Sequence, residues 1–152
     1  MNYQEKLDIF LVEVFHTILR AEEKSLSRTG RGDLSIKESH AIEVVCKAEK
    51  EGTNTASEIA GVLGITPGSL TTAVNVLVKK GYLSRDKDAI DGRRVRITAT
   101  PLGQKANELH HQFHRELVAH ALDEVSDAEA AALTSALERL AHFFKQKDRN
   151  KE

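Results

Sequence analysis

The sequence contains little of several residue types, and each shortage excludes a class of protein. Its single cysteine, Cys46, cannot form an intramolecular disulfide, which argues against a disulfide-rich secreted domain and suits a reducing cytoplasm. The longest apolar runs, residues 9–12 and 130–133, are far shorter than the roughly 18 residues that a transmembrane helix needs. Acidic residues interrupt the first hydrophobic segment and no small-residue cleavage site follows it. We therefore expect no secretory signal, no membrane association and a cytoplasmic location.

The remaining composition is that of one folded unit. Of the 152 residues, 40% are hydrophobic and 30% are charged, which is enough apolar content for a core and argues against disorder. The length leaves room for one compact domain, or for one that commits some of its helices to a partner subunit. We expect a single unit over residues 1–152.

The formal net charge of −1 hides an uneven distribution of charge along the chain. Residues 66–100 hold seven basic and three acidic side chains, a net charge of +4, and the rest of the chain sums to −5. A basic segment on an otherwise acidic chain is typical of a polyanion-binding face. Charge alone is equally compatible with an ordinary solvated surface.

Periodicity and capping signals predict a mostly helical chain with one hairpin. Apolar residues recur at helical spacing over residues 2–24, and this first helix has more apolar surface than one core contact requires. Capping boxes at Ser35 and Thr55, and two later Thr-Pro pairs, mark further helix starts. Alternating residues predict two short strands over 82–85 and 94–98. The predicted order is helix, helix, short helix, helix, hairpin, helix, helix.

The short helix and its successor have the spacing of a helix-turn-helix. Ala60 is a small residue where the helices would cross, Gly64 permits the turn, and Leu70 would lock the second helix. On these residues alone, a generic pair of packed helices is an equally good interpretation. The second helix, residues 66–80, places hydroxyl and amide groups near its N-terminus, where a recognition helix meets base edges. Its predicted DNA contacts are Ser69, Thr71, Thr72, Asn75 and Lys79.

The hairpin that follows is rich in basic side chains. Those predicted to contact the DNA backbone or minor groove are Arg85, Lys87, Arg93 and Arg94. A helix-turn-helix followed by a basic hairpin is a winged DNA-binding module.

The chain as a whole resembles the MarR family of bacterial transcription regulators. Asp91-Gly92-Arg93-Arg94, followed by Ile97-Thr98 and by Thr100-Pro101-Leu102-Gly103, is similar to that family's wing motif and the start of its fifth helix. The resemblance implies a mainly α winged helix-turn-helix with a small β-hairpin wing. It also implies a homodimer that binds double-stranded DNA at a palindromic operator, with Arg93 at the wing tip and Asp91 orienting it. Residues 1–34 and 100–147 would form the dimerisation helices, and residues 35–99 the DNA-binding lobe.

Within the family, the sequence is similar to repressors of fatty-acid synthesis genes from low-GC Gram-positive bacteria. The similar stretches are Met1–Gln4, Ser35–Glu38 with His40, Thr71-Thr72, Lys80–Tyr82, and Leu109-His110 with Phe113-His114. This likeness implies a long-chain acylated acyl carrier protein as corepressor. The chain departs from the likeness between residues 49 and 57 and within the recognition helix, which leaves the operator sequence and the target genes open.

Three histidines support a different interpretation, in which a metal ion regulates DNA binding. His110 and His114 are four residues apart on one helical face, a spacing that can chelate a metal, and the family fold would bring His40 near them. A zinc-responsive repressor is therefore the alternative function. The same histidines also belong to the likeness with the fatty-acid repressors, where they need no metal, so we expect neither a metal nor a cofactor.

Motifs for catalysis are missing from the sequence. The glycines form no phosphate-binding loop, no serine or cysteine lies in a nucleophile motif, and the histidine pair lacks the glutamate of a His-Glu-x-x-His site. We predict that the protein is not an enzyme. A metal-dependent helical enzyme built on the three histidines would leave the basic wing without a role. A protein-only adaptor would dimerise without binding DNA.

Overall fold

The computed structural model describes residues 1–149, so the last three residues of the predicted unit lie outside it. In these residues the chain forms six helices and one antiparallel hairpin, which confirms the predicted fold class and element order. The elements are α1 (Tyr3–Arg28), α2 (Ile36–Glu51), α3 (Ala56–Leu63), α4 (Pro67–Lys79), β1 (Leu83–Lys87), β2 (Val95–Ala99), α5 (Pro101–Ala121) and α6 (Asp127–Arg149).

Local capping chemistry explains most of these boundaries. Ser35, Thr55 and Thr66 each accept a hydrogen bond from the backbone N–H three residues later, which satisfies an amide that has no helical partner. The α2 and α3 helices end at Gly52 and Gly64, both in the left-handed region that glycine adopts without strain. The element bounds differ from the predictions chiefly in α1, which extends four residues further, and in the hairpin, whose strands lie slightly later in the chain.

The core joins the middle of the chain into one packed body. The five largest of its fully buried side chains come one from each of five successive elements, so every element from α2 to β2 is anchored in the same apolar cluster. Burying a large aliphatic side chain contributes about 1.5–3 kcal/mol relative to leaving it exposed. These side chains are Ile42, Ile59, Leu77, Leu83 and Ile97.

The two strands pair from Leu83 with Ala99 to Lys87 with Val95, and the segment before α3 is hydrogen-bonded to β2. Asn54 bonds Ile97 twice: its side-chain amide donates to the Ile97 carbonyl over 2.8 Å, and its carbonyl accepts from the Ile97 N–H over 2.9 Å. An isolated bridge also joins Thr55 to Arg96. The hairpin is therefore fastened to the start of α3 as well as to α2.

Internal contacts divide the chain into two units, Met1–Phe113 and the residues from His114 onward. In the second unit, α6 begins with a capping box, in which Glu129 accepts from the Ser126 N–H over 2.9 Å. Within residues 1–149 no single helix is long and apolar enough to cross a membrane. Helices α3 and α4 together are long and apolar enough, but the pair is bent by 103° between them.

Candidate nucleic-acid interface

The turn between α3 and α4 aims the second helix away from the first. The Ile65 N–H donates to the Ala60 carbonyl over 3.1 Å, Thr66 then caps α4, and the two helix axes bend by 103°. Leu70, on the inner face of α4, is buried, as its proposed locking role requires. The geometry is that of a helix-turn-helix, and it leaves the opposite face of α4 open to solvent.

Every predicted contact on α4 lies on that open face. The set comprises Ser69, Thr71, Thr72, Asn75 and Lys79, and all five side chains are exposed. The Thr71 hydroxyl donates to the Pro67 carbonyl over 2.9 Å, and the Thr72 hydroxyl donates to the Gly68 carbonyl over 3.2 Å. Each hydroxyl hydrogen is thus used in a bond to the α4 backbone. The two hydroxyl oxygens can therefore act toward an outside partner chiefly as hydrogen-bond acceptors.

The two adjacent lysines at the end of α4 have different environments. Lys79 is exposed, whereas the Lys80 ammonium lies 2.7 Å from the Glu38 carboxylate and also donates to the Asp33 carbonyl. The Tyr82 hydroxyl donates to the Asp33 carboxylate over 2.7 Å. Burial first, and this hydrogen bond second, raise the Tyr82 pKa to about 12. Lys80 and Tyr82 therefore fasten the end of α4 to the segment before α2. Of the two lysines, Lys79 is the one available to an outside partner.

The basic side chains predicted for the hairpin are also accessible. The exposed set is Arg85, Lys87, Arg93 and Arg94, together with Asp91. The Asp91 carboxylate accepts a hydrogen bond from the backbone N–H of Arg93 over 3.0 Å. Asp91 therefore shapes the turn on which Arg93 lies, by holding its backbone.

One basic residue of the hairpin has a structural role instead. The Arg96 guanidinium donates to the Asp88 carboxylate over 2.8 Å and to the Asn54 side-chain oxygen over 2.7 Å. A third hydrogen bond, of 3.4 Å, goes to the Gly52 carbonyl. Arg96 thus joins the hairpin to the segment before α3. Arg96 is one of the seven basic side chains counted over residues 66–100, and no local sequence pattern signals these partners.

Asp88 was also missed, although it organises the tip of the hairpin. Its side chain is buried, and its carboxylate accepts from the backbone N–H of Ile90 over 2.8 Å and of Asp91 over 3.3 Å. These amide hydrogen bonds, more than the neighbouring Arg96, lower the pKa of Asp88 below its ordinary value. A locally visible signal existed, because aspartate commonly bonds the amides two and three residues later in turns.

The three candidate zinc ligands have unlike surroundings. His110 is buried, with its Nε2 atom 2.7 Å from Glu43 and its Nδ1 atom 3.4 Å from Glu22. The Ser39 hydroxyl also lies 3.4 Å from Nδ1. His114 follows one turn later on α5. His40 is exposed and lines a groove against α4, so the carboxylates of buried Glu22 and half-buried Glu43, and not His40, surround His110.

The single cysteine is part of the core. Cys46 is 6% exposed, and burial, assisted by nearby Glu49, raises the pKa of its thiol. A raised pKa disfavours the reactive thiolate. Cys46 is therefore a small core residue and not a reactive thiol.

Comparison with known proteins identifies the fold and the family. A model of the MarR family matches residues 39–95, which include α3, α4 and the start of β2. FabT of Streptococcus pneumoniae, solved in complex with DNA, is 33% identical, with a TM-score of 0.84. The match covers 95% of this chain and 99% of FabT. The chain belongs to the MarR family.

Further relatives and solved structures extend this comparison. MepR of Staphylococcus aureus, also solved with DNA, has the same fold at 20% identity and a TM-score of 0.71, over 93% of this chain and 98% of MepR. Two helix-turn-helix transcriptional regulators of Bacillus subtilis match parts of the sequence. YcgE is 41% identical over 36% of this chain and 35% of its own length, and YpoP is 26% identical over 60% and 64%. The chain thus spans less than two thirds of either curated relative. Membership in the MarR family makes it a transcriptional regulator and not an enzyme.

Proposed function

We propose that this MarR-family protein is a homodimeric repressor that binds a palindromic operator and controls fatty-acid synthesis genes. The single observation that carries the DNA-binding part is the shared exposure of the α4 side chains and the basic hairpin side chains on one helix-turn-helix unit. In this proposal Ser69, Thr71, Thr72 and Asn75 face base edges and nearby phosphates. Lys79, Arg85, Lys87, Arg93 and Arg94 contact the backbone or the minor groove, and Asp91 holds the turn.

The proposed dimer rests on apolar surface that the single chain leaves uncovered. On α1, Tyr3, Leu7 and Phe10 are 85%, 57% and 57% exposed. Separately, α6 exposes Leu133, Leu137, Leu140, Phe143 and Phe144. Contiguous apolar surface of this kind marks interfaces, and a second copy of the chain is the occupant we propose. Residues 1–34 and 100–147 would then supply dimerisation helices, and residues 35–99 the DNA-binding lobe.

A symmetric dimer would present its two α4 helices to successive major grooves roughly 34 Å apart. An effector changes DNA affinity only if it binds one spacing of these helices better than another. We propose a long-chain acylated acyl carrier protein as the corepressor, acting in the cytoplasm. The support is the sequence likeness to fatty-acid-gene repressors and the full-length similarity to FabT at 33% identity.

A zinc-responsive repressor is the second candidate. The buried contact between Glu22 and His110, with His114 one turn later on α5, favours it, since carboxylate oxygen and imidazole nitrogen are suitable zinc donors. Ligation by His40 would require a different position of that side chain from the one described.

Fluorescence anisotropy tests both candidates. Labelled duplex from upstream of fatty-acid synthesis genes is titrated with the protein alone, with long-chain acyl carrier protein, and with zinc. Tightening by the acylated carrier and not by zinc supports the lipid-responsive repressor. Tightening by zinc alone replaces it with the metal-responsive one, and failure to bind in every arm contradicts control of these genes.

A further inference from the structure

A groove runs along the boundary between α2 and the recognition helix α4. Its volume is about 380 Å³, and its floor is apolar, formed by side chains that include Leu63, Val76 and Leu77. One edge is formed by Ser69 and Thr72, two of the proposed DNA contacts. The opposite edge comes from the first turns of α2, a part of the fold to which sequence reasoning assigned no DNA contact.

The α2 edge of this groove is electropositive. Lys37 and His40 line it and are exposed, and in residues 1–149 no ion-pair partner is found for Lys37. Among the described residues that line the groove, Glu38 is the acidic one, and it is paired with Lys80 over 2.7 Å. Because that carboxylate is already neutralised, it does not cancel the charge of Lys37.

We propose that Lys37 and His40 bind the DNA backbone beside the recognition helix, so that the DNA interface extends across the groove onto α2. The inference rests on the proposed DNA-binding function and adds a contact surface to it. A duplex seated on Ser69 and Thr72 faces the groove that these residues share with Lys37 and His40. Such a duplex presents one phosphate charge per roughly 1.7 Å of its axis, so a cation along the groove is placed to neutralise one.

The same geometry assigns a role to His40 that differs from metal binding. Its ring lies in the groove with Ser69 and Thr72, whereas His110 is buried against Glu22 and Glu43. An imidazole N–H can donate a hydrogen bond to a phosphate oxygen without any metal.

The test is the salt dependence of DNA binding by the full-length protein, measured by anisotropy in the presence of EDTA. Lys37→Ala is compared with Lys50→Ala, an exposed lysine near the other end of α2 that lines a separate hollow facing α5. Lys37→Ala should reduce the magnitude of the slope of log K against log salt by about 0.9 per protomer, or about 1.8 per dimer. It should weaken binding roughly tenfold or more at 0.1 M salt. Lys50→Ala should leave both quantities unchanged.

His40→Ala should weaken binding by less than Lys37→Ala, and equally with EDTA or with added zinc. Thermal melting of each variant verifies that the fold is retained. If the wild type binds DNA but Lys37→Ala keeps the full slope, the extended interface is wrong while the proposed function stands. If the His40→Ala effect is present only with zinc, His40 acts through a metal and not on phosphate. A wild type that binds no duplex overturns the proposed function itself.

Discussion

At the scale of single residues, the candidate interface separates side chains that contact an outside partner from those that hold the protein together. Arg93 and Arg94 are exposed on the hairpin, whereas Arg96, two residues later, is paired with Asp88 and Asn54. Lys79 and Lys80 differ in the same way at the end of α4. Counting basic residues therefore overstates the charge available to DNA, because some of these cations are already neutralised within the fold.

Arg93 provides the direct test of the wing. If it neutralises one phosphate, Arg93→Ala should reduce the magnitude of the salt slope by about one unit per protomer and weaken DNA binding at low salt. Lys105→Ala, at an exposed position on α5, is the matched control and should have no effect. Unchanged affinity and slope in the Arg93 variant would remove this residue from the interface.

Asp88 provides the test of how the wing tip is ordered. Asp88→Asn removes the charge that accepts from Ile90, Asp91 and Arg96, so we expect faster hydrogen exchange at the Ile90 and Asp91 amides and weaker DNA binding. Because the folded-state pKa of Asp88 is lowered, the charged form persists at neutral pH and is lost only as the pH falls through that lowered value.

The control for Asp88 is Asp86→Asn, which changes an exposed carboxylate two residues earlier, in β1. This variant should leave amide exchange at the tip as it is in the wild type. Equal exchange rates in both variants would mean that the Asp88 carboxylate does not order the tip.

At the scale of elements, the start of α5 is fastened to the end of the helix-turn-helix. The Thr100 hydroxyl donates to the Gly81 carbonyl over 2.6 Å, and the Thr100 N–H donates to the Tyr82 carbonyl over 3.0 Å. Gly103 follows in the first turn of α5. A Cβ atom added at Gly103 would lie 2.1 Å from the Tyr82 carbonyl oxygen. Only glycine allows α5 to approach the backbone after α4 so closely.

Gly103→Ala should therefore destabilise the protein by about 1–3 kcal/mol, the usual cost of forcing extra volume into a packed site. Chemical denaturation monitored by circular dichroism measures the free energy of unfolding. The matched control is Gly61→Ala in α3, where a new Cβ would meet no atom within 4 Å. That substitution should stabilise the fold by up to about 1 kcal/mol, because alanine is the better helix former. Equal effects of the two substitutions would contradict the close approach at Gly103.

At the scale of the whole molecule, the single chain exposes more apolar surface on α1 than a monomer needs. The exposed residues lie along the N-terminal part of the helix, whereas Leu26, near its other end, is buried in the core. The C-terminal end of α1 is therefore buried by the chain itself, whereas the apolar side chains of its N-terminal part stay exposed. We propose that a second subunit buries these exposed side chains.

Leu7→Asp tests this assignment. A carboxylate placed in an apolar interface is costly to desolvate, so we expect the dimer dissociation constant to rise by about 100-fold or more. Analytical ultracentrifugation over a concentration series measures that constant. Val62→Asp, at a residue on α3 that is 72% exposed, alters an equally accessible apolar position and should leave the dimer intact. A Leu7 variant that dimerises as well as the wild type would exclude this part of α1 from the interface.

The sequence by itself determined the order of elements, the turn between α3 and α4, and the predicted DNA-facing side chains, all of which are exposed in the structure. These features follow from signals within a few residues, namely caps, glycines and apolar periodicity, which act on the backbone locally. Only the tertiary structure decided that Lys79 is exposed at the end of α4 while Lys80 is paired. The partner of Lys80 is Glu38, which lies 42 residues earlier in the chain. It also decided that His110 is buried against carboxylates while His40 lines the α4 groove. Such pairings depend on how distant elements pack, and no local pattern encodes them.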